Sequence, residues 1–244
     1  MRTPADFLAA DRELAQALDQ MDGATNYAAW IVAMAGPHLG ADILEVGAGH
    51  GTLTDGLARY GRVTATDLSP RCVDALRSRY GTWPNVDVLE GDVDTVTAGR
   101  SYDSAVLVNV LEHIPDDRAA LRTLWAALRP GGTVILYVPA FEALYGNYDR
   151  MVGHYRRYRR PELNALVAEA GFDVVESRYV NFVGAFAWWL VVRQLGRFPK
   201  GANSIRTYDR VVTPWVRRVE SFRPPPFGQS VFCVGRRPAA PPPS

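Results

Sequence analysis

The segment ILEVGAGHGT, residues 43–52, constrains the fold more than any other stretch of this 244-residue chain. A short apolar run ends at Val46, and glycines follow at positions 47, 49 and 51. Glycine adopts backbone conformations that are closed to other residues, so the chain can turn sharply and approach a ligand closely. A helix that follows such a turn presents free N-terminal amides to that ligand. The segment therefore predicts a strand, a tight turn and a helix.

Short apolar runs alternate with helical patterns along the rest of the chain, which is typical of βαβ units around a parallel sheet. We therefore predict an α/β fold, with a mostly parallel sheet of seven strands and helices on both faces. The predicted strands are Asp42–Val46, Arg62–Thr66, Val86–Leu89, Asp103–Val108, Thr133–Val138, Asp173–Val180 and Gln229–Gly235. The predicted helices are Tyr27–Met34, Thr52–Tyr60, Pro70–Tyr80, Asp116–Leu128 and Arg160–Gly171.

Three segments lie outside this alternation. Residues 1–22 place apolar side chains on one helical face and predict an N-terminal helical lid. Residues 182–228 are too many for a plain connection between the last two strands, and they predict a helical insertion that caps the substrate. Residues 238–244 are rich in proline and predict a disordered tail. Residues 23–237 are expected to form one domain.

The cysteines and the first residues of the chain disfavour several classes of protein. Cys72 and Cys233 are far apart in sequence and outside any metal-ligand spacing, so we expect neither a disulfide scaffold nor a metal site. Residues 1–10 lack the basic-then-apolar pattern of a secretory signal. The predicted location is therefore the cytoplasm.

The longest apolar stretch, FVGAFAWWLVV at residues 182–192, has three interpretations. Its eleven residues are fewer than the roughly 20 that a membrane-spanning helix needs. The stretch is a buried helix, the wall of a substrate pocket, or a segment that lies on a membrane surface. Burial is the favoured interpretation, and membrane contact is the least favoured.

The net charge of +1 hides an asymmetry between the two parts of the chain. Residues 1–148 carry a net charge of −8, and residues 149–244 carry a net charge of +9. Such an imbalance indicates an anionic partner, such as nucleic acid, phosphate or a membrane surface, or mutual neutralisation of the two parts.

The chemistry around the glycine turn indicates a cationic cofactor. The spacing is G-x-G-x-G, whereas dinucleotide sites carry G-x-G-x-x-G. Glu45 precedes the turn, and a carboxylate there suits an ammonium or sulfonium group better than a pyrophosphate. Asp67 ends the next strand, where an acid accepts hydrogen bonds from a ribose diol of either NAD or an adenosyl cofactor. Glu90–Val93 offers an acid and a backbone amide to an adenine edge, or is a plain turn.

Five segments follow one another along the chain: ILEVGAGHGTLT, TATDLSP, EGDVD, YDSAVLVNVLEHIPDD and LRPGGTVILYVPA. Together and in this order they resemble the class I S-adenosylmethionine-dependent methyltransferases. The resemblance covers residues 24 to about 180, and a looser one, over residues 144–172, is to bacterial small-molecule methyltransferases of sugar, polysaccharide and secondary metabolism. It implies a Rossmann-like fold with an antiparallel last strand, and S-adenosylmethionine as the cofactor.

The resemblance also implies which residues bind the cofactor. Residues of the first segment would line the methionine moiety, those after the second strand the ribose, and those after the third strand the adenine. The backbone of Asn109 would face the cofactor amino group, and Tyr27 would close over the cofactor. His50 departs from the family pattern, which has a small or hydroxylated residue there. The implied cofactor residues are Tyr27, Glu45, Gly47, Ala48, Gly49, Asp67, Leu68, Asp92, Val93 and Asn109.

Two of the four histidines are candidate catalytic bases. His113 follows the fourth strand, at the sheet edge where ligands bind in open α/β folds, although it is also suited to shaping that loop. His154 lies in an arginine-rich aromatic segment at residues 147–160. That segment is typical of a nucleic-acid site, a lid over a small acceptor, or a solvated helix start. The lid is favoured, with Tyr145, Tyr148, Tyr155, Arg156 and Trp188 as predicted substrate-binding residues.

We therefore predict an enzyme that transfers a methyl group to a small molecule. The favoured reaction is O-methylation of a sugar, a lipid-linked compound or a secondary metabolite. The alternatives are N- or C-methylation on the same scaffold, and a NAD-dependent oxidoreductase. The acceptor is expected to be acidic or hydrophobic, nucleic acid is the least favoured partner, and the oligomeric state is not predicted.

Overall fold

A computed structural model describes residues 23–190 and 202–239, including the side chains of the second range from residue 206. The predicted lid at residues 1–22 and most of the predicted tail lie outside these ranges. A seven-stranded sheet forms the centre of the domain. Its strands are β1 (Asp42–Val46), β2 (Arg62–Asp67), β3 (Val86–Glu90), β4 (Tyr102–Val108), β5 (Leu128–Pro139), β6 (Asp173–Val180) and β7 (Ser230–Arg236).

Helices connect most of these strands. Short 3₁₀ turns at Gly36–His38, Leu111–His113 and Glu142–Leu144 supplement them. The helices are α1 (Thr25–Ala35), α2 (Thr54–Leu57), α3 (Pro70–Tyr80), α4 (Val93–Thr97), α5 (Asp117–Ala127), α6 (Asn147–Val152), α7 (Arg160–Glu169), α8 (Phe182–Ala187) and α9 (Ala202–Phe222).

The strand order is β3-β2-β1-β4-β5-β7-β6, and it confirms the predicted fold class. The strands from β3 through β5 pair in parallel, whereas β7 is antiparallel to both β5 and β6. The chain proceeds outward from β1 to β3 and then returns to the other side of β1. This reversal opens a crevice beyond the carboxyl ends of β1 and β4, which is where ligands bind in open α/β sheets.

Both faces of the sheet are buried. Successive side chains of a strand point to opposite faces, so adjacent residues enter two different apolar cores. One core takes Leu44, Leu107 and Leu136. The other core takes Ile43, Val106 and Ile135. This arrangement explains why the central strands β1, β4, β5 and β7 are mostly apolar in the sequence, whereas the edge strands β3 and β6 keep polar, partly exposed residues.

Most predicted elements agree with the observed ones to within two residues at each end, and two differ by more. Strand β5 begins at Leu128 instead of Thr133, because Gly131 donates a backbone hydrogen bond to Arg237 and Gly132 accepts one from it. Helix α2 covers only Thr54–Leu57 instead of Thr52–Tyr60. Its last turn tightens, since the amide of Tyr60 bonds to the carbonyl of Leu57, three residues back.

The insertion at residues 182–228 holds helices α8 and α9, as predicted, with residues 191–201 outside the described ranges. Asp209 of α9 accepts hydrogen bonds from the amides of Asn26 and Tyr27 and so fastens α9 to the start of α1. Glu220 accepts from the amides of Asn181 and Phe182 and fastens α9 to the start of α8. In the described ranges, helices are too short or too polar to span a bilayer.

The prediction that residues 182–192 form a buried helix is wrong for its described outer part. Gly184 and Ala185 are buried, but Phe186, Trp189 and Leu190 are exposed. The small residues pack inward and the large apolar ones point outward. Burial of α8 is therefore confined to one narrow side.

Candidate functional site

The glycine turn after β1 meets the loop after β4. Gly47, Gly49 and Gly51 have φ of 68°, 56° and 83°, in the left-handed region that favours glycine. A Cβ atom on Gly47 would lie 2.5 Å from Cγ2 of Val110. The turn therefore requires glycine at position 47 for two reasons, backbone conformation and close approach.

Asp67 braces the glycine turn from the end of β2. Its Oδ2 accepts a hydrogen bond from the amide of Gly49 at 2.9 Å, and its Oδ1 accepts one from the amide of Ser69 at 2.9 Å. A carboxylate has about four acceptor positions, so both oxygens keep capacity for a ligand. Leu68, the next residue, is exposed at the same edge of the sheet.

Glu45 lies beneath the turn and is buried. Its Oε2 accepts a hydrogen bond from the hydroxyl of Thr54 at 2.6 Å. Burial raises the pKa of Glu45 to about 8, although the Thr54 hydrogen bond works in the opposite direction. A cationic ligand nearby would favour the ionised carboxylate and lower this pKa.

The predicted adenine site follows β3. Asp92 is the N-cap of α4, where its Oδ1 accepts hydrogen bonds from both the amide and the hydroxyl of Thr95. These hydrogen bonds hold the pKa of Asp92 below its ordinary value. Val93 is buried against the core. The structure thus assigns Asp92 a capping role, and its contact with adenine stays a prediction.

Two further predicted cofactor residues occupy the crevice and its neighbourhood. Asn109 directly follows β4 with a φ of 53°, and its amide donates to the carbonyl of Tyr137 at 2.7 Å. Tyr27 shares a hydrogen bond of 2.5 Å with the hydroxyl of Tyr137. The phenol of Tyr27 is therefore anchored to β5, and closure over a cofactor stays a prediction.

The two candidate bases come together although 41 positions separate them in the sequence. The rings of His113 and His154 lie edge to face, with centroids 4.6 Å apart. His113 ends the 3₁₀ turn after β4 and is half-buried, whereas His154 follows α6 and is buried. Both rings lie beyond the carboxyl end of the sheet, on the β4 side of the crevice.

Asp149 orients the imidazole of His154. Its Oδ1 lies 2.7 Å from Nδ1 of His154 and accepts from Nε of Arg157 at 2.8 Å. Burial works to raise the pKa of Asp149, but the hydrogen bond with His154 and the charge of Arg157 outweigh it and lower that pKa. An ionised carboxylate only accepts hydrogen bonds, so Nδ1 carries the proton and Nε2 of a neutral ring is a proton acceptor.

Glu112 completes this cluster. It is fully buried, and neither carboxyl oxygen has a hydrogen-bond partner; Oε1 lies 3.8 Å from Nε2 of His154. Burial raises the pKa of Glu112 to about 8. Atoms of Glu112, His113 and His154 that are able to bind a metal lie within 4.8 Å of one another. The expectation of no metal site used sequence spacing alone, and it stays a prediction.

The raised pKa values of Glu45 and Glu112 predict how stability depends on pH. In the unfolded chain both groups lose their protons near pH 4.3, whereas in the folded protein they keep them up to about pH 8. The stability that these two protonated groups contribute is therefore fully present below the unfolded pKa, and it is lost as pH rises towards 8. The free energy of unfolding should fall between pH 5 and 8, and we expect this fall to be smaller in Glu112→Gln by roughly 2 to 4 kcal/mol.

Denaturant melts at a series of pH values measure this slope. Glu90→Gln, at an exposed position, is the matched control and should keep the wild-type slope. Because slopes are compared, an overall loss of stability in Glu112→Gln leaves the result readable. Parallel curves for Glu112→Gln and the wild type would show that Glu112 does not bury a proton.

The predicted substrate-binding aromatics lie beside this cluster. The rings of Tyr148 and Trp188 are 5.1 Å apart, and Arg157 stacks over Trp188 at 5.0 Å. The hydroxyl of Tyr145 donates to the carbonyl of His154 at 2.8 Å, and the side chain of Tyr155 is exposed. These contacts place Tyr145, Tyr148 and Trp188 around His154 and Arg157, and their role in substrate binding stays a prediction.

Arg156 has a different environment from the other predicted substrate residues. Its guanidinium forms an ion pair with Asp117 at 2.6 Å and donates to the carbonyl of Pro115 at 2.7 Å. These bonds tie the segment at residues 147–160 to the start of α5. The role of Arg156 in substrate binding stays a prediction, and the observed contacts support a structural role.

An apolar groove of about 400 Å³ opens next to the lid. It lies between the loop after β5 and helix α8. Its lining residues are Phe141, Ala143, Leu144, Ala185, Phe186, Trp189 and Phe227. Since Trp188 donates to the carbonyl of Leu144, the groove adjoins the aromatic lid.

Sequence reasoning missed three members of the acceptor-side cluster. Glu112 lies within one of the family-like segments, Asp149 and Arg157 lie within the arginine-rich one, and no motif singles them out. The signal for Asp149 was weak, because an aspartate five residues before a histidine in a loop follows no regular period. Arg157 is buried whereas Arg159 and Arg160 are exposed, and a run of arginines does not reveal that difference.

Fold and site together define an α/β cofactor-binding domain with a ligand crevice between β1 and β4. A family model described as a methyltransferase domain matches residues 15–177, more than half of the chain. The chain belongs to this methyltransferase family. The predicted family, enzyme class and S-adenosylmethionine cofactor are thereby confirmed at the level of the family.

Sequence relatives include two proteins named ubiquinone biosynthesis O-methyltransferase. The one from Xanthomonas campestris is 38% identical over 101 residues, which cover 40% of this chain and 42% of the relative. The one from Xanthomonas euvesicatoria is 37% identical over 152 residues, which cover 55% of this chain and 64% of the relative. The matches thus span less than two thirds of either relative.

Solved structures share the fold. The Haloferax volcanii chain in complex with the Trm112 methyltransferase activator has a TM-score of 0.62 at 22% identity, over 98% of this chain and 99% of that one. An O-methyltransferase family protein from Burkholderia thailandensis has a TM-score of 0.59 at 14% identity, over 96% and 60%. CalH in complex with SAH has a TM-score of 0.56 at 21% identity, over 87% and 57%.

Proposed function

We propose that the chain is an S-adenosylmethionine-dependent O-methyltransferase that acts on a hydroxyl group of a small acceptor. The observation that carries the proposal is the oriented imidazole of His154 at the carboxyl edge of the sheet, beside the crevice at the glycine turn. A hydroxyl must lose its proton on methylation, and an oriented neutral imidazole is suited to take it. N-methylation needs no strong base and would leave this arrangement without a purpose.

The residues of the crevice fit the cofactor. The left-handed turn at Gly47, which packs too closely on Val110 for any Cβ atom, exposes backbone to the crevice, and Asp67 has acceptor capacity for a ribose diol. Burial raises the pKa of Glu45 to about 8, and a bound cation would favour its ionised form and so gain a buried negative partner. Leu68 offers an apolar surface at the same edge. These four features support binding of a cation that carries a nucleoside.

Bound S-adenosylmethionine would supply a methyl group on a sulfonium centre, ready for in-line displacement. The protein has two tasks in such a reaction, to hold the acceptor oxygen in line and to exclude water. Methyl transfer would exchange the proton of the acceptor hydroxyl for the methyl group of the cofactor. His154 takes the hydroxyl proton on Nε2, and Asp149 stabilises the resulting imidazolium. The products are a methyl ether and S-adenosylhomocysteine.

The acceptor is proposed to combine a reactive hydroxyl with an apolar body. The groove between Phe141 and Phe227 supports the apolar part, since polar side chains are absent from its described lining. The aromatic rings of Tyr148 and Trp188 support a planar or ring-shaped head group beside His154. The two Xanthomonas relatives are named for ubiquinone biosynthesis, and that name is consistent with this class of acceptor.

Transfer of a labelled methyl group tests the proposal. Purified protein is incubated with methyl-labelled S-adenosylmethionine and lipid and aqueous extracts of its source. We expect label in an organic-soluble product that resists mild base, as a methyl ether does and a methyl ester does not. Label recovered only in a base-labile ester or in a methylated amine would contradict O-methylation of a hydroxyl.

Asp67→Ala is expected to weaken binding of S-adenosylmethionine by about 1 to 3 kcal/mol, because hydrogen bonds to the ribose are lost. The variant also removes the acceptors for the amides of Gly49 and Ser69, so its thermal stability must be measured beside its affinity. Calorimetry gives the affinity. Asp87→Ala, an exposed aspartate on β3, serves as the control. Unchanged affinity in Asp67→Ala would refute the assignment.

A further inference from the structure

Helix α9 exposes an apolar stripe to solvent. Val211, Trp215 and Phe222 recur at spacings of four and seven residues, which place them on one face of a helix. Phe222 is 81% exposed, and Val211 and Trp215 are more than half exposed. A soluble surface helix normally turns such a stripe towards the core. In α9 the core-facing residues are instead Asp209, Thr213, Val216 and Glu220.

The stripe continues onto α8. The ring of Phe182 lies 6.4 Å from that of Trp215, and Phe186 follows one helical turn later at 63% exposure. Trp189 packs against Phe186 with centroids 6.0 Å apart. We call this combined surface the outer face; it consists of Val211, Trp215 and Phe222 together with Phe182, Phe186 and Trp189. It is contiguous with the apolar groove, because Phe186 and Trp189 belong to both.

On α9 the acidic side chains are buried and the described arginines are exposed. Its two acids, Asp209 and Glu220, are 2% and 3% exposed and are used in hydrogen bonds to α1 and α8. The arginines of α9 and of the residue after it are all exposed, namely Arg206, Arg210, Arg217, Arg218 and Arg223. Residues 182–228 as a whole hold eight basic and two acidic residues. The exposed charges on the described part of α9 are therefore all positive.

We propose that the outer face docks the protein on a bilayer surface that contains anionic lipid. Exposed tryptophan and phenylalanine side chains enter the boundary between headgroups and acyl chains, and arginines pair with anionic headgroups. Contacts with a second copy of this chain would place the same positive charges against each other, which disfavours a dimer through this face. Docking does not depend on methyl transfer, although it would bring the apolar groove to the lipid.

Co-sedimentation with vesicles tests this surface. The full chain is mixed with vesicles of phosphatidylcholine alone, or of phosphatidylcholine with phosphatidylglycerol, at low salt and at about 0.5 M salt, where charges are screened within about 4 Å. We expect sedimentation with the anionic vesicles, and a loss of most binding at high salt or with neutral vesicles. Phe222→Ser should lower the partition coefficient about tenfold. Arg210→Gln/Arg218→Gln/Arg223→Gln should lower it about 100-fold.

Two controls separate docking from loss of structure. Trp83→Ser removes an exposed aromatic from another surface, and Arg62→Gln/Arg77→Gln/Arg100→Gln removes three exposed arginines there. Both controls should bind vesicles like the wild type. Equal binding to both vesicle types, no binding to anionic vesicles at low salt, or unchanged binding of the outer-face variants would overturn the proposal. So would a dimer that Phe222→Ser dissociates, or RNA binding without vesicle binding.

Discussion

His154→Ala is expected to lower kcat by about 10²- to 10⁴-fold, the usual contribution of a general base, with little change in the Kd of S-adenosylhomocysteine. The imidazole lies on the β4 side of the crevice and is held by Asp149, which is not among the residues predicted to bind the cofactor. Removing it therefore affects the acceptor more than the cofactor. Asp149→Asn should lower kcat in the same direction, because an amide can donate to Nδ1 and so favour the wrong tautomer.

His38 provides the matched control for this experiment. Its ring bonds to Glu176 outside the crevice, so His38→Ala should keep the wild-type kcat. His113→Ala separates the two candidate bases, since its ring packs against that of His154 from the loop after β4. Steady-state kinetics with the identified acceptor and calorimetry with S-adenosylhomocysteine give both parameters. A wild-type kcat in His154→Ala would remove His154 as the base, and a loss in His113→Ala alone would transfer the role.

Gly47→Ala is expected to weaken cofactor binding about 100-fold or more, equivalent to about 2.7 kcal/mol. Alanine at a φ of 68° costs about 1 to 2 kcal/mol, and its Cβ would lie 2.5 Å from Cγ2 of Val110. The turn must shift to relieve this contact. Since the turn is the part of the backbone predicted to touch the cofactor, the shift should affect affinity more than fold.

Gly99→Ala is the control that separates the effect of backbone strain from that of the contact with Val110. Gly99 has the same φ of 68°, and a Cβ there would have nothing within 4 Å. Gly99→Ala should therefore lose about 1 to 2 kcal/mol of stability and keep its cofactor affinity. Gly47→Ala/Val110→Ala should recover part of the affinity, because the Cβ of Val110 lies at an acceptable 3.6 Å. Equal affinities of the Gly47→Ala and Gly99→Ala variants would contradict the proposed role of the turn.

The central strands could be predicted because they are buried on both faces. The predicted bounds match the observed ones for the central strand Asp42–Val46, which is buried from Ile43 onward. They also match for the edge strand Asp173–Val180, although only Tyr179 and Val180 are buried there. Strand β5 was predicted too short, since the pairing of Gly131 and Gly132 with Arg237 joins positions over 100 residues apart. Local patterns do not encode such pairings.

The site was predicted where residue types follow a strand directly. The glycine turn and Asp67 lie at strand ends, so the sequence alone places them at one edge of the sheet. Asp149 and Glu112 reach His154 only through the fold, and their importance comes from burial, which no sequence period shows. The outer face of α9 is a related case. The side of the helix that faces solvent depends on the buried hydrogen bonds of Asp209 and Glu220, which join α9 to α1 and α8.

The central claim is that the crevice at the glycine turn takes an adenosyl cofactor and not a dinucleotide. Thermal unfolding with each ligand tests it most directly. At about 100 times its Kd, S-adenosylhomocysteine should raise the Tm by about 5 to 10 °C, and Asp67→Ala should reduce the shift. NAD at the same concentration should leave the Tm unchanged. A shift with NAD and none with S-adenosylhomocysteine would contradict the claim and favour an oxidoreductase on the same fold.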